Sequence, residues 1–302
     1  MSPLRIGLVL PLTSSDPEGV PTFARGAEDL GFDGLFAFDH LFPPGAPSDR
    51  PSAEAYASLA AVASITGRVA IGTLVTRASL RPAGLLAKQA VTLDDVADGR
   101  FVLGIGTGDS LSKAEHDAFG LPYLEPNVRR RHLVETVRAI RALFRGEAWE
   151  GGELVPAIRG PLLPAPRRGG GPPIWIGGKS PAAVRLAAAE AEGWNGWNLD
   201  VETFADRAAL VRNEPRGQGV EATWAGAVVV GRTAEEANEL EATRRARGIM
   251  DDAFVGNVGA ATTWLERLAS AGATWAILLV AGGRERVELV AERVLPRVAT
   301  LG

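Results

Sequence analysis

The sequence predicts an α/β fold, a closed (β/α)8 TIM barrel, on three observations. Apolar runs of strand length alternate with amphipathic helical patterns from one end of the 302 residues to the other, the pattern of βα units built around a parallel sheet. Several runs are apolar throughout, such as "FVLGI" at 101–105 and "AILLV" at 276–280, as strands buried on both faces are. Eight units fit the length with no break in composition, which suits one barrel better than the doubly wound open sheet that is the structural alternative. A single barrel domain is therefore expected over 1–302.

In chain order, strand Arg5–Leu10 ("RIGLVL") leads to helix Val20–Leu30, and strand Gly34–Phe38 ("GLFAF") to helix Ala53–Ser64. Strand Ala70–Val75 is followed by helix Ala83–Ala97, and strand Phe101–Ile105 by the helical pattern Arg129–Phe144. From Gly146 to Pro173 the rhythm breaks into "GEAWEGGELVPAIRGPLLPAPRRGGGPP". This stretch is too rich in glycine and proline for a helix and too long for a plain connection. It reads as an insertion between the fourth and fifth units, at about 146–173, with a short hairpin around Gly151-Gly152 and then an extended excursion. The fifth strand, Ile174–Ile176, runs into helix Pro181–Ala191, whose start is marked by Ser180 as N-cap and Pro181 in the first turn. Strand Trp194–Asn198 is the sixth. Strand Trp224–Val230 with helix Thr233–Ala246, then helix Ala260–Ala271, strand Trp275–Val280 and helix Arg284–Val298 complete the set.

Bulk properties narrow the function classes. Hydrophobic residues make up 46% and charged residues 23%, ordinary values for a globular chain with a sizeable core. A formal net charge of −4 gives no general electrostatic case for nucleic acid. The absence of cysteine excludes disulfides, thiolate metal sites and a cysteine nucleophile. The amino terminus lacks the apolar region of a secretory signal, and no run is long enough to span a bilayer. The expectation is a cytoplasmic protein with no membrane partner.

Barrels place their chemistry on the loops after the strands, and four such places stand out. After the second strand, "FDH" sets Asp39 beside His40. An imidazole can take or give a proton near neutral pH and a carboxylate can orient it, although neighbours on a strand point opposite ways and the two need not touch. After the fourth strand, "LGIGTGD" carries Gly104, Gly106 and Gly108 with Thr107 and Asp109. Those glycines allow close approach of a ligand or a tight turn, and a plainer role for Asp109 is to cap the next segment. After the fifth strand, Gly177-Gly178-Lys179-Ser180 precedes a helix start, where backbone N–H groups beside a lysine favour a phosphate. After the third strand, Thr73, Thr76 and Ser79 are small and polar, while Arg77, Arg81 and Lys88 could meet an anion. The other two histidines, His116 and His132, read as structural. No G-x-S-x-G elbow, Walker loop or H-E-x-x-H pair is present. A flat, phosphorylated ring of the flavin type would satisfy these places together.

Several stretches in order carry a resemblance: "GFDGLFAFDHLFP", "TGRVAIGTLVT", "AKQAVTLDDVADGRFVLGIGTGD", "GPPIWIGGKSPAAVRLAAAEAEGW" and "VGNVGAATTWLERLASAGA". From Ile6 to about Val298 the chain resembles the bacterial luciferase-like superfamily of flavin-dependent oxidoreductases. The D-H pair and the G-T-G-[DE] motif look like its coenzyme F420 branch. The resemblance implies that Asp39 and His40 meet a deazaflavin ring, with His40 as acid, base or charge stabiliser, and that Asp109 donates or accepts a proton. It further implies a non-prolyl cis peptide at Thr73-Leu74 behind the ring, contacts from Gly106, Thr107 and Gly108, and a phosphate held by Gly177 and Gly178 with Lys179. Where the sugar-phosphate dehydrogenases of that branch carry a tryptophan and an acid, this chain has Pro44 and Thr13, which implies a less polar small-molecule substrate. Trp194 and Trp197 either line that pocket or pack a buried strand. The superfamily also holds monooxygenases that use reduced FMN and dioxygen, and non-catalytic flavin-binding relatives. Its habit favours homodimers.

Overall fold

The computed structural model describes residues 3–13, 19–43, 51–249 and 251–298. Its strands are β1 (Arg5–Val9), β2 (Gly34–Ala37), β3 (Ala70–Thr73), β4 (Thr76–Arg77), β5 (Phe101–Gly106), β6 (Ile174–Gly177), β7 (Gly193–Trp197), β8 (Glu221–Gly231), β9 (Phe254–Asn257) and β10 (Trp275–Val280). Pairing runs β10-β1-β2-β3-β5-β6-β7-β8 and returns to β10, where Trp275 faces Thr223 and Val280 faces Val228 in parallel register. Among the described residues this is a closed parallel barrel of eight strands with helices between them, as the sequence predicts. The two short extras hang on it: β4 pairs with the end of β5, and β9 with the end of the long β8.

Strand starts and ends agree closely with the sequence pattern, because buried parallel strands announce themselves as apolar runs. The helices are placed by their caps. Ser180, Asp200, Thr233 and Asn257 each accept a hydrogen bond from the backbone N–H three residues on, which satisfies one of the unpaired donors of a first turn. One of these caps opens Val201–Asn213, a helix absent from the sequence reading. A second unread helix, Lys113–Ala118, lies between β5 and the long helix Pro126–Phe144.

The 146–173 insertion falls after that long helix and before β6. Trp149 and Ile158 exchange both backbone hydrogen bonds, at 2.9 and 2.8 Å, and Gly152 donates to Val155 O at 2.8 Å, so the hairpin about Gly151-Gly152 is present. Inside the barrel, Phe36, Trp175 and Trp275 form a ring cluster with centroids 5.6–5.9 Å apart. Leu74, Val102 and Ile277 join it, and Phe38, Trp197 and Leu279 pack against it. These last three sit at or just past the carboxyl ends of β2, β7 and β10. The interior is therefore a packed apolar plug that ends in an apolar mouth.

Candidate active site

Because every barrel strand runs parallel, the segments after β2, β3, β5, β6 and β7 emerge on one rim. That rim holds the four places the sequence singles out. The first is built on the alternation of side chains past the end of β2. Asp39 is 3% exposed and bonds not to His40 but to residues after β3. Its Oδ2 accepts from Thr76 Oγ1 at 2.6 Å and Arg81 Nη1 at 2.5 Å, and its Oδ1 from Arg81 Nη2 at 3.2 Å. The Tyr56 hydroxyl lies 3.0 Å from Thr76 Oγ1, and the Arg81 guanidinium lies over the Tyr56 ring at 4.4 Å. Burial, reinforced by the negative charge of Asp39, pushes the Tyr56 hydroxyl well above its ordinary range.

His40 turns the other way. Its Nδ1 lies 2.6 Å from Glu115 Oε1, a carboxylate on the unread helix Lys113–Ala118. Glu115 is 1% exposed and accepts twice more at Oε2, from Leu41 N–H at 2.6 Å and from Arg77 Nη2 at 2.8 Å. Burial works to raise the pKa of this carboxyl. The bonds from His40 and Leu41, with Arg77 behind them, outweigh it and hold the group at about 2. Each buried acid here is matched by an arginine, the buried Arg77 to Glu115 and the half-buried Arg81 to Asp39, the second also bonding Glu54, the arrangement that makes buried charge tolerable.

The alternating glycines after the fourth strand have a packing reason. A Cβ on Gly104 would lie 1.9 Å from Thr73 O, one on Gly106 would lie 2.8 Å from Val75 Cγ2, and one on Gly108 would lie 2.8 Å from Arg77 Cδ. The 73–77 segment therefore bulges against β5 between the parallel pairings of β3 and β4, each second residue meeting a glycine, and from it Arg77 reaches Glu115. Thr73 is itself buried, its hydroxyl donating to Gly104 O at 2.7 Å. Leu74 belongs to the apolar interior. The non-prolyl cis peptide is one residue later than expected, at Leu74-Val75 rather than Thr73-Leu74. Val75 packs onto Gly106 and Gly177.

Asp109 is exposed, and its carboxylate closes a turn. Its Oδ1 accepts from Ser112 N–H at 3.1 Å and from Ser112 Oγ at 3.0 Å, while its carbonyl accepts from Tyr123 and Arg129. Thr107 donates to Gly108 O. At the Gly-Gly turn, the N–H of Gly178 donates to Asn195 O at 3.0 Å, and its carbonyl accepts from Trp194 Nε1 at 2.7 Å. Lys179 is exposed at the start of the Ser180-capped helix, and its carbonyl accepts from Arg207. Trp194 is fully buried, whereas Trp197 meets Phe38 edge to face at 5.1 Å. Phe38 in turn meets the His40 ring at 6.1 Å. That aromatic line joins β2 to β7 across the mouth. Pro44, one of the two departures from the sugar-phosphate branch, lies outside the described residues; Thr13, the other, is half-buried.

Of the remaining histidines, His116 has its Nδ1 2.8 Å from Pro122 O and its ring against Tyr123, a structural role. Sequence reasoning missed Glu115, because a single acid in a six-residue helix far along the chain carries no motif. No group of residues with metal-ligand character occurs among the described residues. The opposite end of the barrel has a cleft of about 450 Å³ lined by residues such as Arg5, Arg100, Glu192 and Glu221. These sit at strand starts, the end of such barrels that serves stability rather than chemistry.

Comparison with known proteins bears on the family and the fold. The family model described as luciferase-like monooxygenase matches residues 5–295. An F420-dependent glucose-6-phosphate dehydrogenase from Nakamurella multipartita is 34% identical over 200 residues, 64% of this chain and 56% of that protein. The chain thus matches little more than half the length of that relative. Among solved structures, an F420-dependent secondary alcohol dehydrogenase in complex with an F420-acetone adduct superposes with a TM-score of 0.82 at 20% identity, over 98% of this chain and 99% of the other. A monooxygenase from Streptomyces bottropensis gives 0.77, also at 20% identity, over 98% of this chain and 100% of the other. At such identities these two likenesses speak for the fold.

Proposed function

The chain belongs to the luciferase-like monooxygenase family, and from that premise we propose that it is a coenzyme F420-dependent oxidoreductase acting on a neutral organic substrate. The observation that carries the reading is His40, held by a buried carboxylate at the rim with its ring beside an aromatic mouth. The F420 dependence of the relative that matches 64% of this chain supports the choice of cofactor.

The residues present fit a flat, phosphorylated cofactor. Leu74, Phe38, Trp197 and Leu279 form an apolar floor of the kind a ring system packs against. The Gly177-Gly178 turn leads to a helix start flanked by Lys179. Because the Gly178 N–H already has a partner, the phosphate anchor falls to the Lys179 ammonium and the helix start beyond it. When bound, the deazaflavin supplies hydride transfer. His40 takes or gives the accompanying proton, Asp39 and Arg81 hold the loops after β2 and β3 in register, and the aromatic mouth excludes water.

The substrate in this reading is a small alcohol or carbonyl compound without a phosphate. Thr13 offers no charge where the sugar-phosphate enzymes place an acid, and the mouth is aromatic. Asp109 remains a candidate proton donor or acceptor by resemblance, its second carboxylate oxygen lying outside the turn it caps. A homodimer in the cytoplasm completes the proposal. Leu85 and Val96 are 50% and 47% exposed on helix Ala83–Val96, eleven residues apart and so on one face.

Turnover assays test the reading. Oxidised F420 should be reduced with neutral alcohols and not with glucose 6-phosphate. Oxygen uptake with reduced FMN, in the absence of any F420 turnover, would replace it by a monooxygenase. Micromolar binding without turnover of any substrate would favour a non-catalytic relative.

A further inference from the structure

We propose that Glu115 is the positioning residue that fixes His40 as the tautomer protonated on Nδ1, so that the neutral ring presents Nε2 as its proton acceptor. An ionised carboxylate can only accept hydrogen bonds. With Oε1 2.6 Å from Nδ1, the hydrogen between them belongs to the imidazole, and the other ring nitrogen is left with its lone pair. The carboxylate also takes the N–H of Leu41, the very next residue. It therefore grips the ring and the backbone of the same turn and fixes the direction in which the ring faces.

Every other candidate for this task is engaged. Asp39 is bound to Arg81 and Thr76, and His116, next to Glu115 in sequence, turns its Nδ1 to Pro122. Arg77, buried beside Glu115 and seated over Gly108, keeps the carboxylate ionised. The device thus extends from the ring through Glu115 to the segment that pairs with the end of β5.

The catalytic consequence rests on the oxidoreductase reading; the tautomer does not. For an alcohol substrate, the hydroxyl proton would pass to Nε2, and an oxidised deazaflavin held at this rim would supply the acceptor for the hydride of the carbinol C–H bond. The carbonyl product forms, and the imidazolium now carries both protons, with Glu115 facing its positive charge. Reduction of a carbonyl returns the same proton and hydride.

Side-chain ¹⁵N spectra of histidine-labelled protein read the tautomer directly, and with only three histidines the signals are assigned by His116→Gln and His132→Gln. In the unmodified chain the neutral His40 ring should give the pattern of a protonated Nδ1 and a bare Nε2. In Glu115→Gln that pattern should become mixed or reverse. Turnover should then fall about 10²-fold, within the usual worth of general acid–base catalysis, with cofactor affinity held within twofold. Glu115→Asp should restore part of both. A protonated Nε2 in the unmodified chain overturns the proposal without any variant, and so does an unchanged tautomer in folded Glu115→Gln. The expected tautomers in a protein that turns over no F420 substrate would sink the oxidoreductase reading and leave the positioning role standing.

Discussion

At the scale of single residues, the site depends on how two neighbouring side chains are separated. Asp39 goes down to Arg81 and His40 goes across to Glu115, so one buried acid is structural and the other serves the imidazole. His40→Ala should slow turnover by roughly 10²–10⁴, the range for loss of a general acid or base, while cofactor affinity in a fluorescence titration changes little. Asp39→Ala should destabilise the fold by about 1–3 kcal/mol, because Thr76 and Arg81 lose their shared acceptor while Arg81 keeps its bond to Glu54; urea unfolding measures this. Glu115 makes stability depend on acid. Its folded pKa, about 2, lies below its ordinary value of 4.5, so the folded state binds this proton less readily than the unfolded chain. The stabilisation is present in full above pH 4.5 and is lost as pH falls towards 2, at most about 3 kcal/mol in all. In Glu115→Gln, unfolding free energies between pH 5 and pH 2.5 should fall less steeply than in the unmodified chain.

At the scale of elements, the decisive contact is the packing of 73–77 against β5. The sequence shows alternating glycines after the fourth strand and reads them as room for a ligand or for a tight turn. The structure fills that room with Thr73 O, Val75 and Arg77. The two-residue β4 that ends this segment is too short to have a period, which is why it escapes a reading based on periodicity. Gly106→Ala should lower stability by about 1–3 kcal/mol through overpacking against Val75. Val75→Ala in the same chain should recover part of that loss in thermal unfolding, which a purely cofactor-facing glycine would not show. Helix Val201–Asn213 was legible in principle, since Asp200 caps it three residues before Thr203. Lys113–Ala118 was not, being a six-residue helix shorter than two turns.

At the scale of the whole molecule, closure of the barrel brings the parts together. All eight barrel strands were legible, most of them as apolar runs between turn signals, and the rim follows from their common direction. The partner of His40 was not legible, because 75 residues separate it from Glu115 and only the closed fold places the helix after β5 beside the loop after β2. The same closure requires a filled interior. Trp275→Ala should remove about 3–5 kcal/mol by emptying the ring cluster with Phe36 and Trp175. No helix among the described residues is long and apolar enough to cross a membrane, in keeping with the expectation from the sequence.

The central claim is that this rim holds a deazaflavin against His40. An equilibrium titration of the purified protein with F420 and, separately, with FMN, followed by fluorescence, tests it most directly. Saturable micromolar binding of F420 is expected, weakened by Lys179→Ala and not displaced by FMN. Tight binding of FMN with no response to F420 would contradict it.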